Sequence, residues 1–240
     1  MVDWHLRITL LLSLLGTGGS ADAAVWKNGA FRFTEGRPVR IVVVQSDIQV
    51  GSIGVGGVEE ANADWTAMAR AKLAAAIETQ QRVFGNEVVV LPEQKGEQAK
   101  LIADYLALFK TVATEATTHE LTRDGALPAL GDRVNWTLGP DVARIVASGG
   151  GDYALFVRMR DSFGTGERKA FRLLTGQVAS MILEGTGVHQ AFAALVDLKS
   201  GDLVWFNLDL RAGGDPRNDG GAAKRVGQLF GAFPSRKHAR

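Results

Sequence analysis

Two short apolar runs constrain this chain most. Val39-Arg40-Ile41-Val42-Val43-Val44 and Glu87-Val88-Val89-Val90-Leu91 are nearly continuous and β-branched, with Pro38 ahead of the first and Pro92 ending the second. Such runs read as strands covered on both faces, because a solvated face would interrupt the apolar series at every second residue. Each is followed by a longer segment with helical spacing. Trp65, Met68, Ala69, Leu73, Ala76 and Ile77 form one stripe through about Val83, entered at Asn62 or Asp64, either of which can cap the free N–H groups of a first turn. From about Glu97 to His119, Ile102, Tyr105, Leu106, Phe109, Val112, Ala113 and Ala116 share a second face. Strand, helix, strand, helix in this rhythm requires right-handed crossovers and a sheet with a parallel portion.

The remaining segments complete a mixed sheet. Val25 to Arg37, with Trp26, Phe31 and Phe33 among polar positions, reads as an edge strand or a strap. Leu121 to Leu138 lacks periodicity and reads as a surface loop, and Pro140 opens a short helix closed by Gly149-Gly150-Gly151. Asp152 to Arg160 is a third strand, and Lys169 to Glu184 has helical spacing through Phe171, Leu174, Val178, Met181 and Ile182. Val188 to Leu198 and Leu203 to Leu210 flank the polar turn Lys199-Ser200-Gly201-Asp202, so these two strands are antiparallel. A last helix spans about Asp219 to Phe233, before a basic tail, Ser235 to Arg240. The fold class is α/β: a single domain over residues 24–234, with a mixed β-sheet, an antiparallel carboxyl-terminal hairpin and helices packed on the sheet.

Composition narrows the chemistry. The 240 residues hold 27 basic and 26 acidic side chains, a formal net charge of +1, and no cysteine. A disulfide scaffold, a thiolate metal site and a cysteine nucleophile are excluded, and so small a basic surplus argues against broad nucleic-acid binding. At the amino terminus, Arg7 precedes an apolar run from Ile8 to Leu15, then Gly16 to Ser20, then Ala21-Asp22-Ala23. This is the layout of a signal peptide over residues 1–23 cut after Ala23, and the run is too short to cross a hydrocarbon core that takes about 20 residues. The expected location is periplasmic or secreted, with no transmembrane segment in the mature chain and, lacking cysteine, no lipid anchor.

Candidate functional groups are few. Gly51-Ser52-Ile53-Gly54-Val55-Gly56-Gly57 follows a strand and precedes a helix, where phosphate-cradling loops sit, which makes Gly54, Gly56 and Gly57 candidate ligand contacts. Its spacing matches no nucleotide fingerprint, and Glu59 and Glu60 would repel a phosphate. Asp47 lies beyond the first strand and Asp161 beyond the third, so the two could meet at the carboxyl edge of a parallel sheet as a catalytic pair. No Gly-x-Ser-x-Gly elbow occurs, and neither His119 nor His189 has a second histidine at ligand spacing, so no metal and no cofactor is expected. Trp136 in the irregular loop and Trp205 in the last strand offer the aromatic area that dominates protein interfaces.

The run Gly150-Gly151-Asp152-Tyr153-Ala154-Leu155-Phe156-Val157, followed by the hairpin Leu195 to Trp205 with its Asp197-Leu198-Lys199-Ser200-Gly201 turn, resembles bacterial envelope proteins of the TolB amino-terminal, curli-secretion and penicillin-binding-protein-activator type. The segment Ile41 to Leu73 is similar to secreted or lipid-anchored proteobacterial proteins of the same layout. The resemblance implies a non-enzymatic envelope accessory protein acting by protein binding, in assembly, transport or wall-synthesis regulation, with an envelope protein or a second copy of the chain as partner. The alternative is a hydrolase or small-ligand-binding protein using the strand-end carboxylates beside the glycine loop.

Overall fold

Val39–Val44 and Glu87–Leu91 each supply a strand, the stripes that follow them are helix faces, and one sheet gathers the strands. The computed structural model describes residues 24–27, 31–33, 38–44, 46–121, 136–146, 150–175, 188–210 and 213–234. In chain order these form β1 (Ala24–Lys27), β2 (Arg40–Val43), β3 (Asp47–Ile53), β4 (Glu59–Ala61), α1 (Ala63–Val83), β5 (Glu87–Val90) and α2 (Gly96–Leu121). A 3₁₀ segment (Pro140–Val146), β6 (Tyr153–Gly164), α3 (Gly166–Leu174), β7 (His189–Asp197), β8 (Leu203–Asp209) and α4 (Asp219–Leu229) follow. The expected signal peptide, the basic tail, most of the Leu121–Leu138 loop and the second half of the Lys169–Glu184 helix lie outside the described residues.

The sheet order is β1-β8-β7-β6-β2-β5, with β3 attached to β6 and β4 to β3. β2 is parallel to both β5 and β6, β3 is parallel to β6, and the β6-β7-β8-β1 half is antiparallel, so the sheet is mixed as expected. Residues 47–53, which run from beyond the expected first strand into the expected Gly51–Gly57 loop, are a strand. β2 and β3 lie end to end along β6: Val43 pairs with Leu155 and Asp47 with Arg158, so the register slips by one residue between them. Such a slip exchanges the two faces. Ile41 and Val43 in β2, but Ile48 and Val50 in β3, point into the same core.

That core lies under α1 and α4, where Ala69, Leu73, Ile77, Val226 and Leu229 cover Leu155, Val157, Met159 and Trp205. Asn62 caps α1, its side chain accepting the Trp65 N–H at 2.9 Å. Met68, expected on the buried stripe, is 45% exposed. On the opposite face α2 and the 3₁₀ segment bury Ile102, Phe109, Ala113, Val142 and Ile145 against Val42, Phe156, Phe192 and Phe206. β5 departs from the sequence reading. Among the described residues it pairs with β2 alone, and Val88 and Val89 are half-buried and Val90 is exposed.

Candidate functional site

Polar side chains collect at the end of the sheet where β6 and β7 run past the helices. On the α1–α4 face, Asp161 sits inside β6, which extends to Gly164, four residues beyond the end expected from sequence. Its register partner on β7 is His189, whose Nδ1 lies 2.6 Å from Asp161 Oδ1. Arg225 on α4 approaches the same oxygen with Nη2 at 3.3 Å, and the side chains of both Asp161 and Arg225 are fully buried. Asp161 Oδ2 is buried without a hydrogen-bond partner among the described residues. A carboxylate taken wholly out of water needs this compensation, since an unpaired ion there costs several kcal/mol.

Around that pair stands an aromatic clamp. The Arg217 guanidinium lies 4.3 Å from the Trp65 ring centre and 4.4 Å from that of Phe163, and Phe163 meets the His189 ring edge to face at 5.6 Å. Arg217 also holds Asp215 through Nε at 2.8 Å and Nη2 at 2.6 Å. The Arg217 hydrogen bonds hold the Asp215 carboxyl below its ordinary 3.8, against a smaller opposing effect of burial. The guanidinium is in turn pushed upward, chiefly by Asp215, with the more distant Asp161 adding to it. Carboxylate on Nδ1 and a partly exposed ring is the orientation a general base uses. The assembly joins α1, β6, β7 and α4.

Asp47 is elsewhere. The one-residue slip puts it on the α2 face, where Arg160 Nη2 contacts its two carboxylate oxygens at 2.9 and 2.8 Å and Arg158 Nε stands 3.3 Å away. Asp47 and Asp161 therefore lie on opposite faces of one sheet, each opposite arginine, and do not form the expected pair. The glycines are also placed differently. Gly51 is in β3, where a Cβ would stand 2.3 Å from the Glu60 carbonyl oxygen, and Gly54, Gly56 and Gly57 belong to the β3–β4 hairpin turn. That turn is separated from the first turn of α1 by β4. It is held instead by Arg168, whose Nη1 donates to Gly54 O at 2.9 Å.

The two tryptophans are placed differently from each other. Trp205 has no exposed surface and packs between Phe230, stacked at 5.9 Å, and Phe233, edge-on at 4.8 Å. Trp136 is half-buried against the α2 core, its ring 5.7 Å from that of His119, and its carbonyl accepts the Leu203 N–H. Trp205 therefore offers no free aromatic face, whereas Trp136 keeps part of its surface open. Sequence reasoning passed over Arg217 and Arg225, because two isolated arginines carry no signal of burial; the only hint was a cation inside the apolar spacing Ala222, Val226, Leu229. Among the described residues no group of three or more His, Asp or Glu could hold a metal ion, and no helix is long and apolar enough to cross a membrane.

No protein family matches the chain, and no curated protein is detectably similar to it. Among solved structures it is similar to the PelC dodecamer from Paraburkholderia phytofirmans, at 13% identity and a TM-score of 0.41 over 89% of this chain and 97% of that one. A point variant of that dodecamer in another crystal form gives 13% and 0.40, covering 89% and 99%. The lipoprotein GNA1162 from Neisseria meningitidis is 16% identical with a TM-score of 0.33, covering 80% and 94%. Likeness at this level transfers neither partner nor activity to the present chain.

Proposed function

We propose that this chain is an exported accessory protein of the bacterial envelope that acts by binding another protein. The observation that carries the reading is an exposed apolar surface at one end of the sheet. Phe171, Leu173 and Leu174 on α3 are 46%, 56% and 87% exposed, and Val55 and Val58 flanking the β3–β4 turn are 44% and 68% exposed. The Arg168–Gly54 hydrogen bond and the Thr165 N–H to Ile53 O bond at 3.1 Å tie α3 to that hairpin, so the two groups share one end of the molecule. Apolar side chains gathered this way characterise contact surfaces. The sequence 1–23 supports export, and separation of Asp47 from Asp161 removes the basis of the two-carboxylate hydrolase.

A photo-crosslinking residue placed at Leu174 in the full-length chain, expressed in its native cell, tests this. The expected result is one discrete adduct, absent when the same residue replaces Glu78 on α1, from protein whose amino terminus is Ala24. An adduct pattern identical at the two positions, or abundant cytosolic protein retaining Met1, would overturn the reading.

A further inference from the structure

On the α2 face, one rung of the sheet runs through Arg158, Phe192 and Leu208 on the neighbouring strands β6, β7 and β8. α2 crosses beside it, and Lys110, Thr114 and Thr118, spaced one helical turn apart, face that rung with Ala113 beneath them. Between helix and sheet is a groove of about 120 Å³, lined also by Gln190. Its floor is apolar and its rim is cationic.

The charge is unbalanced. Asp47 is the described carboxylate in contact with Arg158 and Arg160, and Arg160 occupies both of its oxygens. Arg158 approaches Asp47 only through Nε, without forming a hydrogen bond. The exposed Lys110 adds a second positive charge to that of Arg158 on the groove, and among the described residues lining it there is no carboxylate. Arg158 Nε is buried toward Asp47, while the partly exposed side chain lines the groove, so the donors it offers a carboxylate there are those of its two Nη groups.

We propose that this groove binds a carboxylate carried on a short apolar stem. The carboxylate lies between Arg158 and Lys110, and the stem lies over Phe192, Leu208 and Ala113. The volume corresponds to about four waters of liquid, which admits an acid of a few carbons. The apolar floor selects such an acid over a bare inorganic anion, because phosphate has nothing to bury there and each methylene placed on it is worth about fourfold in affinity.

Titration of the full-length protein with sodium butyrate, followed by amide chemical shifts, tests the proposal. Saturable shifts at Lys110, Thr114, Gln190 and Phe192 are expected, with acetate about fifteenfold weaker and the neutral isostere butyramide without effect. Lys110→Gln, at an exposed position with no described ion pair, should leave the melting temperature unchanged and weaken butyrate about tenfold. Trialanine with a free carboxyl terminus distinguishes a peptide chain end, if it binds more tightly than butyrate, from a small acid, if it binds less tightly. Absence of shifts in the groove, equal affinity for butyramide or phosphate, or unchanged butyrate affinity in Lys110→Gln overturns it.

Discussion

Asp161 and His189 stand opposite each other on β6 and β7, with the imidazole Nδ1 2.6 Å from a carboxylate that no water reaches. The same oxygen faces Arg225, equally buried, so a strand and a helix distant in sequence are joined through one charge. Removing Arg225 leaves the buried Asp161 carboxylate with the imidazole alone. Arg225→Met should lower stability by about 3–5 kcal/mol in denaturant unfolding, whereas Asp161→Leu combined with Arg225→Met should cost far less than the sum of the single changes. Additive losses would show that the pair is not a unit.

The Asp215–Arg217 contact sets a pH dependence. Because the folded carboxyl titrates below its ordinary 3.8, its contribution is fully present above that value and is lost as pH falls through the folded value. Melting temperatures of the native chain and of Asp215→Asn should therefore differ at neutral pH and converge as the solution is acidified below the usual carboxylate range. A gap that persists unchanged in strong acid contradicts the assignment.

Trp205 is packed by Phe230 and Phe233, and its indole N–H is buried with no hydrogen-bond partner among the described residues. Trp205→Ala should cost about 3–5 kcal/mol. Trp205→Phe gives up volume but no hydrogen bond, so its loss should be less than half of that, measured in the same unfolding series.

Two glycines separate strain from collision. Gly85 (φ +85°) has open space where a Cβ would go, so Gly85→Ala should cost about 1–2 kcal/mol of left-handed backbone strain. Gly201 (φ +82°) would place a Cβ 2.1 Å from the Gly139 carbonyl oxygen, a backbone atom that cannot swing aside. Gly201→Ala should cost more than twice as much and displace the Leu138 N–H to Gly201 O bond, visible as faster amide exchange at Leu138.

Periodicity and turn chemistry carried most of the elements. The Asn62 cap, the two long helices and the Asp197–Gly201 turn are local: Asp197 accepts the Lys199 N–H at 2.7 Å and Gly201 takes the positive φ that the turn demands. β5 was misread because strand order, not strand composition, decides whether a valine run is covered twice. The carboxylates were misread because one extra residue between Val43 and Asp47 reverses which face Asp47 occupies, and no pattern of residue types encodes that slip.

By itself, then, the amino-acid order determined an α/β chain with alternating buried strands and amphipathic helices, a positive-φ glycine hairpin, and the absence of thiol chemistry. Hydrophobic spacing and backbone preference act over a few residues, so they are written locally. Only the tertiary structure decided that Arg225 reaches Asp161, that Asp47 turns to the other face, and that Trp205 is core. Those outcomes depend on register and on helices meeting strands many residues away, where the energy of a contact exists only once both partners have been brought together.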